Sequence, residues 1–367
     1  PTMKHTRTEG DTDAHDERSY HVLHYLVAGS PQTQGKGVEA FRMLTQSGTT
    51  TIPGVDDRAE FQKLQVALGW FGIESSVQDG LWEVLLGALH LGNVTFSGKD
   101  DDDARVADEC AKDLAECERL LGMTGLRLEH ELVEKDIAAG AEQMTLKLKP
   151  VQAMHARDAL VKQLYARVFD HLVHCINSAL TTSVAYDATI GLLDVFGFET
   201  FKRNSFEQLC INYANERLHS FFMDQVFTDE IALYQREGLP VPENVNPPNN
   251  AEVCAIFDSA SKTHVGAFQL LDSQSRQAKA SDTAFCREMY ANHEGNAYFG
   301  KADSHLLASN KLTTEEAFVV HHFAADVCYV ATGFLDKNDS KLSDSFEKKL
   351  RQSKQPFIKA VIWSETH

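Results

Sequence analysis

The stretch that decides the fold reads Ile190-Gly191-Leu192-Leu193-Asp194-Val195-Phe196-Gly197-Phe198-Glu199. Apolar or glycine positions precede Asp194, so the pattern predicts a buried strand that brings one carboxylate to its carboxyl end, where open α/β sheets bind ligands. Gly197 follows three residues later, and a residue without a Cβ lets its backbone N–H approach a phosphate closely. Asp-x-x-Gly therefore predicts a phosphate-sensing loop. Taken alone, a pattern of these four residues is more often a buried strand that ends in an ordinary turn.

A long helix is predicted directly after this stretch. Asn204-Ser205-Phe206-Glu207 has the pattern of a capping box, with Asn204 at the cap and Glu207 at the third position. Gly238 and Pro240 predict the end of the helix near residue 237. Thirty residues at ~1.5 Å each would span about 45 Å, so the helix could carry a small movement far. Apolar residues at steps of three and four predict one continuous apolar stripe, made of Phe206, Leu209, Cys210, Tyr213, Ala214, Leu218, Phe221, Phe222 and Val226.

Residues 193–201 and 204–218 together resemble the switch II loop and the relay helix of the myosin motor head. The resemblance implies that Asp194 helps to hold Mg²⁺ through water and that the Gly197 amide binds the γ-phosphate of ATP. It also implies that Glu199 pairs with an arginine of switch I. The implied relay residues are Asn204, Phe206, Phe221 and Phe222.

The composition indicates an ordinary globular protein. Of its 367 residues 43% are hydrophobic and 24% charged, with no run of eighteen apolar residues and no signal peptide, so we expect neither secretion nor insertion into a membrane. The formal net charge of −18 argues against nonspecific binding to nucleic acid or to an anionic membrane surface. The seven cysteines form no Cys-x-x-Cys pair, which predicts reduced thiols in a cytosolic protein and no structural zinc.

The length of the chain predicts two or three subdomains. Residues 1–18 are polar and without periodicity, and are expected to be a poorly ordered leader. The resemblance places residues 19–188 in the upper jaw of the actin-binding cleft, and residues 189–362 in switch II, the relay helix and the lower jaw, with residues 363–367 as a truncated end. It implies a helix-rich α/β fold, a fragment of the P-loop NTPase motor head with a partial central sheet. Because the chain begins with proline and ends in a polar segment, we expect a piece of a longer protein.

Four patterns lie before residue 188, and three of them add to the resemblance. Residues 20–29 and 85–96 are similar to helical elements of myosin heads, and residues 132–148 alternate in polarity and predict a β-hairpin. Residues 152–177 form an amphipathic pattern similar to the long helix that precedes switch II. Within it, Arg157 and Asp158 are interpreted as a pair on the helix surface rather than as catalytic groups.

Other patterns imitate functional sites. Residues 29–37 look like a phosphate-binding loop, but five residues separate the first glycine from Gly-Lys and a glycine follows, so a surface loop is predicted. The acidic residues 99–108 lack the alternating carboxylates of a calcium loop and predict a solvated loop. His90 is interpreted as a packed core histidine without a ligand partner. His321 and His322 would point to opposite faces of a strand and so could not share a metal.

Residues 267–286 resemble the helix-loop-helix with which the lower jaw of myosin grips actin. The implied actin-binding residues are Leu270, Leu271, Arg276, Lys279 and Phe285. Arg276 and Lys279 would form a small basic spot on an acidic chain, which suits an acidic filament. The chain departs from the family at Val241, where myosins usually have tryptophan, and at residues 248–250, so contact of this loop with the converter is not expected.

Two functions are compatible with the sequence. The first is the central part of an actin-activated ATPase motor of the cytoplasm, with ATP and Mg²⁺ in the intact motor and the actin filament as partner. No residues indicate light chains or cargo. The second is a non-catalytic actin-binding module or degenerate head. The sequence contains neither a Walker loop nor the Asn-x-x-Ser-Ser-Arg segment of switch I, so this chain alone is expected neither to hold ATP nor to hydrolyse it. Sequence upstream of Pro1 would discriminate the two.

Overall fold

The computed structural model describes residues 18–99, 102–139, 142–181, 187–241, 249–261, 264–275, 280–309, 312–338 and 344–363. Internal contacts divide the chain into a first unit of residues 1–188 with 340–367 and a second unit of residues 189–339. Helices dominate both units and the sheets are small, which confirms the prediction of a helix-rich α/β fold. Across the described ranges, none of the helices has the length and apolar character needed to span a bilayer.

The first unit consists of helices and two short antiparallel sheets, β1–β2 and β3–β4. In chain order its elements are α1 (His21–Gly29), α2 (Arg42–Thr45), α3 (Asp57–Trp70), α4 (Ser75–Asn93), β1 (Phe96–Ser97), β2 (Arg105–Val106), α5 (Ala111–Leu120), α6 (Leu128–Val133), β3 (Glu134–Ala139), β4 (Glu142–Lys147), α7 (Pro150–Leu180), α15 (Asp344–Leu350) and α16 (Pro356–Trp363). The predicted hairpin is confirmed, with Glu134 opposite Lys147 and Ala139 opposite Glu142.

Helix α4 is the centre of the first core. Its apolar residues point in almost every direction, and Leu81, Trp82, Leu86 and Leu91 are all buried, so the helix must be enclosed by neighbours. Helices α5 and α7 pack against it. The two C-terminal helices also belong to this core, whereas the sequence-based division placed residues up to 362 with the second part. The Gln355 side chain ties this segment to α4 by donating to Glu83 at 2.8 Å.

Two polar residues of the first unit differ from their sequence interpretation. Arg157 pairs with Asp158 as expected, at 2.7 Å, but its side chain is only 2% exposed and so does not lie on the surface. His90 is buried as predicted, yet it has a partner, because its Nδ1 lies 2.6 Å from a carboxylate oxygen of Asp113. Both differences have the same cause: a buried polar group needs a hydrogen-bond partner, and the partner comes from whichever element packs there.

The segment that imitates a phosphate-binding loop is a loop, as predicted. It follows helix α1 rather than a strand and contains a single 3₁₀ turn, Pro31–Thr33. Lys36 at its tip is exposed.

The second unit surrounds a three-stranded antiparallel sheet of order β5-β6-β7. Its elements are α8 (Phe206–Met223), α9 (Asp229–Arg236), α10 (Ala251–Asp258), α11 (Ala267–Gln274), α12 (Asp282–Asn292), β5 (Phe299–Lys301), α13 (Ser304–Ser309), β6 (Ala317–His321), β7 (Asp326–Val330) and α14 (Phe334–Asn338). Phe318 faces Tyr329 in the register of β6 and β7, and both are fully buried. Helices α8, α10, α11 and α12 supply the rest of the core around them.

The prediction of a buried strand at residues 190–194 is wrong. These residues adopt no regular structure, and Ile190 and Leu192 are 94% and 95% exposed. An extended segment becomes a strand only when a neighbour pairs with its N–H and C=O groups. Among the described residues, none of the seven strands lies beside this segment.

The long helix is present, but its predicted start and its predicted apolar stripe are wrong. It begins one residue later than expected, because Ser205 is the N-cap and Gln208 completes the capping box. A π-helical stretch over residues 224–228 joins α8 to α9. The apolar stripe is not continuous, since Phe221 and Phe222 are 64% and 57% exposed. The buried positions of α8 are instead Leu209, Asn212, Glu216 and Met223.

Candidate functional site

The candidate site begins in the exposed segment that contains Asp194 and Gly197. The Asp194 side chain is exposed and makes no hydrogen bond or ion pair with another described residue. Around Gly197, a Cβ atom would meet nothing within 4 Å, so its backbone is open to an incoming group. A carboxylate oxygen and a free backbone amide are the donor types that suit Mg²⁺ and a phosphate. They fit one side of such a group, and the described residues contain no cluster of three or more His, Cys, Asp or Glu that could hold a metal by themselves.

Glu199 marks the point where this segment becomes attached to helix α8. The side-chain amide of Asn212 binds the backbone of Glu199 on both sides of its Cα: Oδ1 accepts from the Glu199 N–H at 2.8 Å, and Nδ2 donates to the Glu199 carbonyl at 2.7 Å. The Glu199 carboxylate is half-buried and accepts from Gln208 Nε2 at 3.1 Å. Two residues of helix α8 therefore bind both the backbone and the side chain of Glu199.

Two further asparagines attach the same segment. Asn215 donates to the carbonyl of Phe196 at 3.0 Å. Asn204 accepts from the N–H of Phe201 at 2.7 Å and donates to the carbonyl of Cys328 in β7 at 3.1 Å. Asn204 is thus not the helix cap of the sequence prediction but a link between the segment and the sheet. An asparagine side chain suits this role because its amide pairs with a peptide group as another peptide would.

A line of buried polar groups continues from Asn212 into the core. Asn212 Nδ2 donates to the Tyr329 hydroxyl at 2.9 Å, and that hydroxyl lies 2.7 Å from His322 Nε2. His322 Nδ1 lies 2.9 Å from Oε1 of Glu216. Burial by itself would raise the pKa of Glu216, but hydrogen bonds from His322, from Asn250 and from the N–H of Phe323 outweigh it and hold the pKa below its ordinary value.

Sequence reasoning missed Asn212, Asn215, Glu216, His322 and Tyr329. The only signal was a set of polar residues at helical spacing inside an otherwise apolar pattern. Their partners are up to 117 residues away in the sequence, so no local pattern could identify them.

The implied relay residues lie in different surroundings. Phe206 packs edge to face on Phe334 with ring centroids 5.6 Å apart. Phe221 and Phe222 lie at the surface. Between these positions, His219 stacks on Phe323 at 4.3 Å, which places a ring contact near the end of the buried polar line.

The implied actin-binding residues require a correction. The helix-loop-helix is present as α11 and α12, but Leu270, Leu271 and Phe285 are only 5%, 0% and 0% exposed. Buried side chains of the core cannot contact a filament, so these three support the element rather than form its surface. Arg276 and Lys279 lie outside the described residues.

Within the described ranges, the two adjacent histidines and the cysteines do not belong to a group of three or more His, Cys, Asp or Glu that could hold a metal. His321 contacts Asp326 at 2.7 Å at the edge of the sheet, whereas His322 belongs to the buried line, so the two histidines have separate partners. All seven cysteines are unpaired, in agreement with the prediction of free thiols.

Comparison with known proteins agrees with this arrangement. The family model for the myosin head (motor domain) matches residues 12–367. Myosin heavy chain 95F of Drosophila melanogaster is 33% identical over 390 residues, which cover 96% of this chain and 31% of that protein. Unconventional myosin-Va of Rattus norvegicus is 34% identical over 346 residues, covering 93% of this chain and 18% of that protein. Myosin-I heavy chain of Dictyostelium discoideum is 32% identical, covering 94% of this chain and 14% of that protein.

The chain thus spans less than a third of the length of these relatives. The match nevertheless extends through both units. It includes residues 190–204, which we call the switch-like segment, and helix α8, to which this segment is attached. The chain belongs to the myosin head (motor domain) family.

Proposed function

We propose that this chain is the switch and relay portion of an actin-activated ATPase motor that moves along actin filaments in the cytoplasm. The observation that supports this function is the attachment of residues 196–204 to helix α8 and strand β7 by Asn204, Asn212 and Asn215. A loop whose position changes when a phosphate binds or leaves can drive movement only if it is joined firmly to an element that extends away from the site.

The proposed roles of three residues in the nucleotide site come from the family resemblance. Asp194 would help to hold Mg²⁺ through water, the Gly197 amide would bind the γ-phosphate of ATP, and Glu199 would pair with a switch I arginine. Bound ATP with Mg²⁺ supplies the phosphoryl transfer chemistry, in which positioning and charge account for most of the catalysis. The open backbone at Gly197 and the exposed carboxylate of Asp194 are consistent with such contacts.

The proposed mechanical role belongs to the helix. From Phe206 to Arg236 the backbone remains helical through α8, the π stretch and α9. At ~1.5 Å per residue this rod is about 45 Å long. A shift of the Phe196 or Glu199 carbonyl would pull on Asn215 or Asn212 and so move the beginning of the rod.

One observation favours the second candidate function, a non-catalytic actin-binding module. Asp194 and Gly197 would provide one side of a phosphate site, and the sequence of this chain contains neither a Walker loop nor a switch I segment to provide the other. The 367-residue chain by itself is therefore expected not to hydrolyse ATP at a meaningful rate, and nucleic acid, membrane lipid, light chains and cargo are not among its proposed partners.

A chimaera distinguishes the two functions. Residues 19–362 of this chain would replace the aligned segment of rat myosin-Va, and ATP hydrolysis would be measured with and without actin filaments. We expect actin-stimulated hydrolysis that Asp194→Ala abolishes and Asp187→Ala preserves, since Asp187 is an equally exposed aspartate of the same segment. A chimaera that is folded by circular dichroism and cosediments with actin but does not hydrolyse ATP would support the binding module instead. Full hydrolysis in Asp194→Ala would contradict the role given to that residue.

A further inference from the structure

Four buried side chains form one continuous hydrogen-bonded line in the second unit. The line starts at the peptide of Glu199 and passes through Asn212, Tyr329 and His322 to Glu216. Asn212, Tyr329 and Glu216 are 0% exposed and His322 is 8% exposed. It joins the switch-like segment, helix α8, strand β7 and the residue that follows β6.

The bonds at the start of this line have a defined direction. Asn212 Oδ1 accepts from the Glu199 N–H, so Nδ2 carries the two hydrogens and donates to the Glu199 carbonyl and to the Tyr329 oxygen. The Tyr329 hydroxyl lies between Asn212 Nδ2 and His322 Nε2, and the other ring nitrogen of His322, Nδ1, lies beside Oε1 of Glu216. Each member of the line therefore has the next member as a hydrogen-bond partner.

The line ends on a carboxylate that strengthens it. Besides His322, Glu216 accepts from Asn250 Nδ2 and from the N–H of Phe323 at 3.0 Å. These donors stabilise the charged form, and hydrogen bonds to an ionised acceptor are stronger than those between neutral groups. In a chain of this kind each bond polarises the next, so the buried charge affects donors several residues away.

We propose that Asn212, Tyr329, His322 and Glu216 act together as positioning residues that fix the peptide of Glu199. Their meaning for nucleotide hydrolysis rests on the function proposed above, but the positioning itself does not. If the backbone of Glu199 moves, Asn212 loses its bonds to the Glu199 N–H and carbonyl. The partners beyond Asn212 then lose their orientation in a buried site, where an unsatisfied polar group is costly. The segment therefore has one favoured position rather than a continuum.

Packing alone does not explain the arrangement. Apolar residues of similar size are often as stabilising as a buried polar network, so stability gives no reason for four connected polar groups here. Their common property is that each group fixes the orientation of the next through a hydrogen bond, from the sheet to the backbone of Glu199.

Amide hydrogen exchange of the purified 367-residue chain, without ATP or actin and resolved to single residues, tests the proposal. The rate at the Glu199 N–H is compared with that at the Leu270 N–H, which donates to Gly266 at the start of α11 in the same unit. We expect strong protection of Glu199 in the unaltered chain. Tyr329→Phe, which removes one hydroxyl, should accelerate exchange at Glu199 about tenfold relative to Leu270.

Coupling is tested with Glu216→Gln, which keeps the shape of the side chain and removes its charge. We expect it to accelerate exchange at Glu199 about threefold in the unaltered chain and to add almost nothing in the Tyr329→Phe background, because the line is already cut there. Tyr213→Phe is the matched control. It removes a hydroxyl from α8, the helix that carries Asn212 and Glu216, but that hydroxyl donates to Asp258, outside the line. It should leave the ratio of the Glu199 exchange rate to the Leu270 exchange rate unchanged.

Three outcomes would overturn the proposal. The Glu199 amide could exchange as fast as an unprotected loop amide in the unaltered chain, a result that needs no variant to fold. Glu216→Gln could have the same effect with and without the Tyr329 hydroxyl, which would make the contacts independent. Tyr213→Phe could change the ratio as much as Tyr329→Phe does. Because neither ATP nor actin is present, failure of the motor function would leave these results unaffected, and the reverse also holds.

Discussion

The guanidinium of Arg157 donates to the backbone carbonyl of Val94 at 2.6 Å inside the first unit. Val94 directly follows helix α4, where a carbonyl has no partner within its own helix. The other donors of Arg157 bind Asp158 at 2.7 and 2.8 Å. The buried Arg157 of α7 thus supplies the hydrogen-bond donor that the end of α4 lacks. This contact fixes α7 against α4, the helix at the centre of the first core.

Replacing Arg157 should destabilise the first unit. In Arg157→Met the chain of carbons remains, but the Val94 carbonyl loses its donor and Asp158 loses its charged partner, at a cost of about 2–3 kcal/mol. Urea unfolding followed by circular dichroism measures the change. Arg119→Met is the control, because that arginine is 54% exposed and pairs with Glu116 on the surface, where a pair contributes less than about 1 kcal/mol. Equal losses in the two variants would contradict the role of the buried guanidinium.

The stability of the chain should depend on pH through His24. Burial, followed by the nearby Arg18 charge, lowers the pKa of His24 from 6.5 to about 4. The unfolded chain therefore binds the proton more readily than the folded chain between these values. The stabilisation is complete above pH 6.5 and is lost as the pH falls toward 4, by at most about 3 kcal/mol.

Urea unfolding at about pH 7.5 and pH 5 checks this dependence. The free energy of unfolding should fall by about 2 kcal/mol between the two conditions through His24 alone, and His24→Leu should remove that part of the change. If the unaltered chain and the variant lose the same free energy between the two pH values, His24 is not the group responsible.

Binding to actin filaments should depend on the two basic residues of the α11–α12 connection. Arg276→Glu combined with Lys279→Glu should weaken cosedimentation and its dependence on salt, because two positive charges that would attract an acidic filament become negative. Circular dichroism should show that the variant remains folded. The control is Arg236→Glu with Lys112→Glu, which makes the same change in charge at exposed positions elsewhere. Cosedimentation that is unchanged in the first variant, or reduced equally in both, would remove this surface from the interface.

The switch and the relay can be separated by mutation in the chimaeric motor. Gly197→Ala should let ATP bind but stop hydrolysis, because the added Cβ occupies the place where a phosphate should approach. That Cβ meets no protein atom within 4 Å, so a loss of activity would not reflect a packing clash. Gly191→Ala is the matched control, since a Cβ there also meets nothing within 4 Å.

Glu199→Ala should also stop hydrolysis, by removing the partner of the switch I arginine. Phe222→Ala should preserve hydrolysis and reduce movement, since this ring is 57% exposed and lies on the proposed rod rather than in the nucleotide site. ATP turnover and filament gliding are measured side by side. Normal turnover in Gly197→Ala and Glu199→Ala, or equal loss of turnover and gliding in Phe222→Ala, would contradict the coupling.

The sequence by itself determined the helices, the hairpin and the family resemblance. Helical periodicity and turn residues depend on contacts only a few positions apart, so the long helix after residue 204 and the hairpin of β3 and β4 could be predicted. The motif from Asp194 to Glu199 is likewise a local arrangement of residue types, and it identified the candidate site without any knowledge of its surroundings.

Only the tertiary structure decided which polar groups meet. Glu216 and His322 are 106 residues apart in the sequence, and their contact depends on the packing of α8 against the sheet. The same long-range packing buried Arg157 and replaced the expected apolar stripe of α8 with Asn212 and Glu216. It also left residues 190–194 without a neighbouring strand among the residues that the structure describes. Backbone hydrogen bonds within a helix are local and readable from the sequence, whereas the partners of a buried polar side chain or of a strand come from distant segments that only the folded chain brings together.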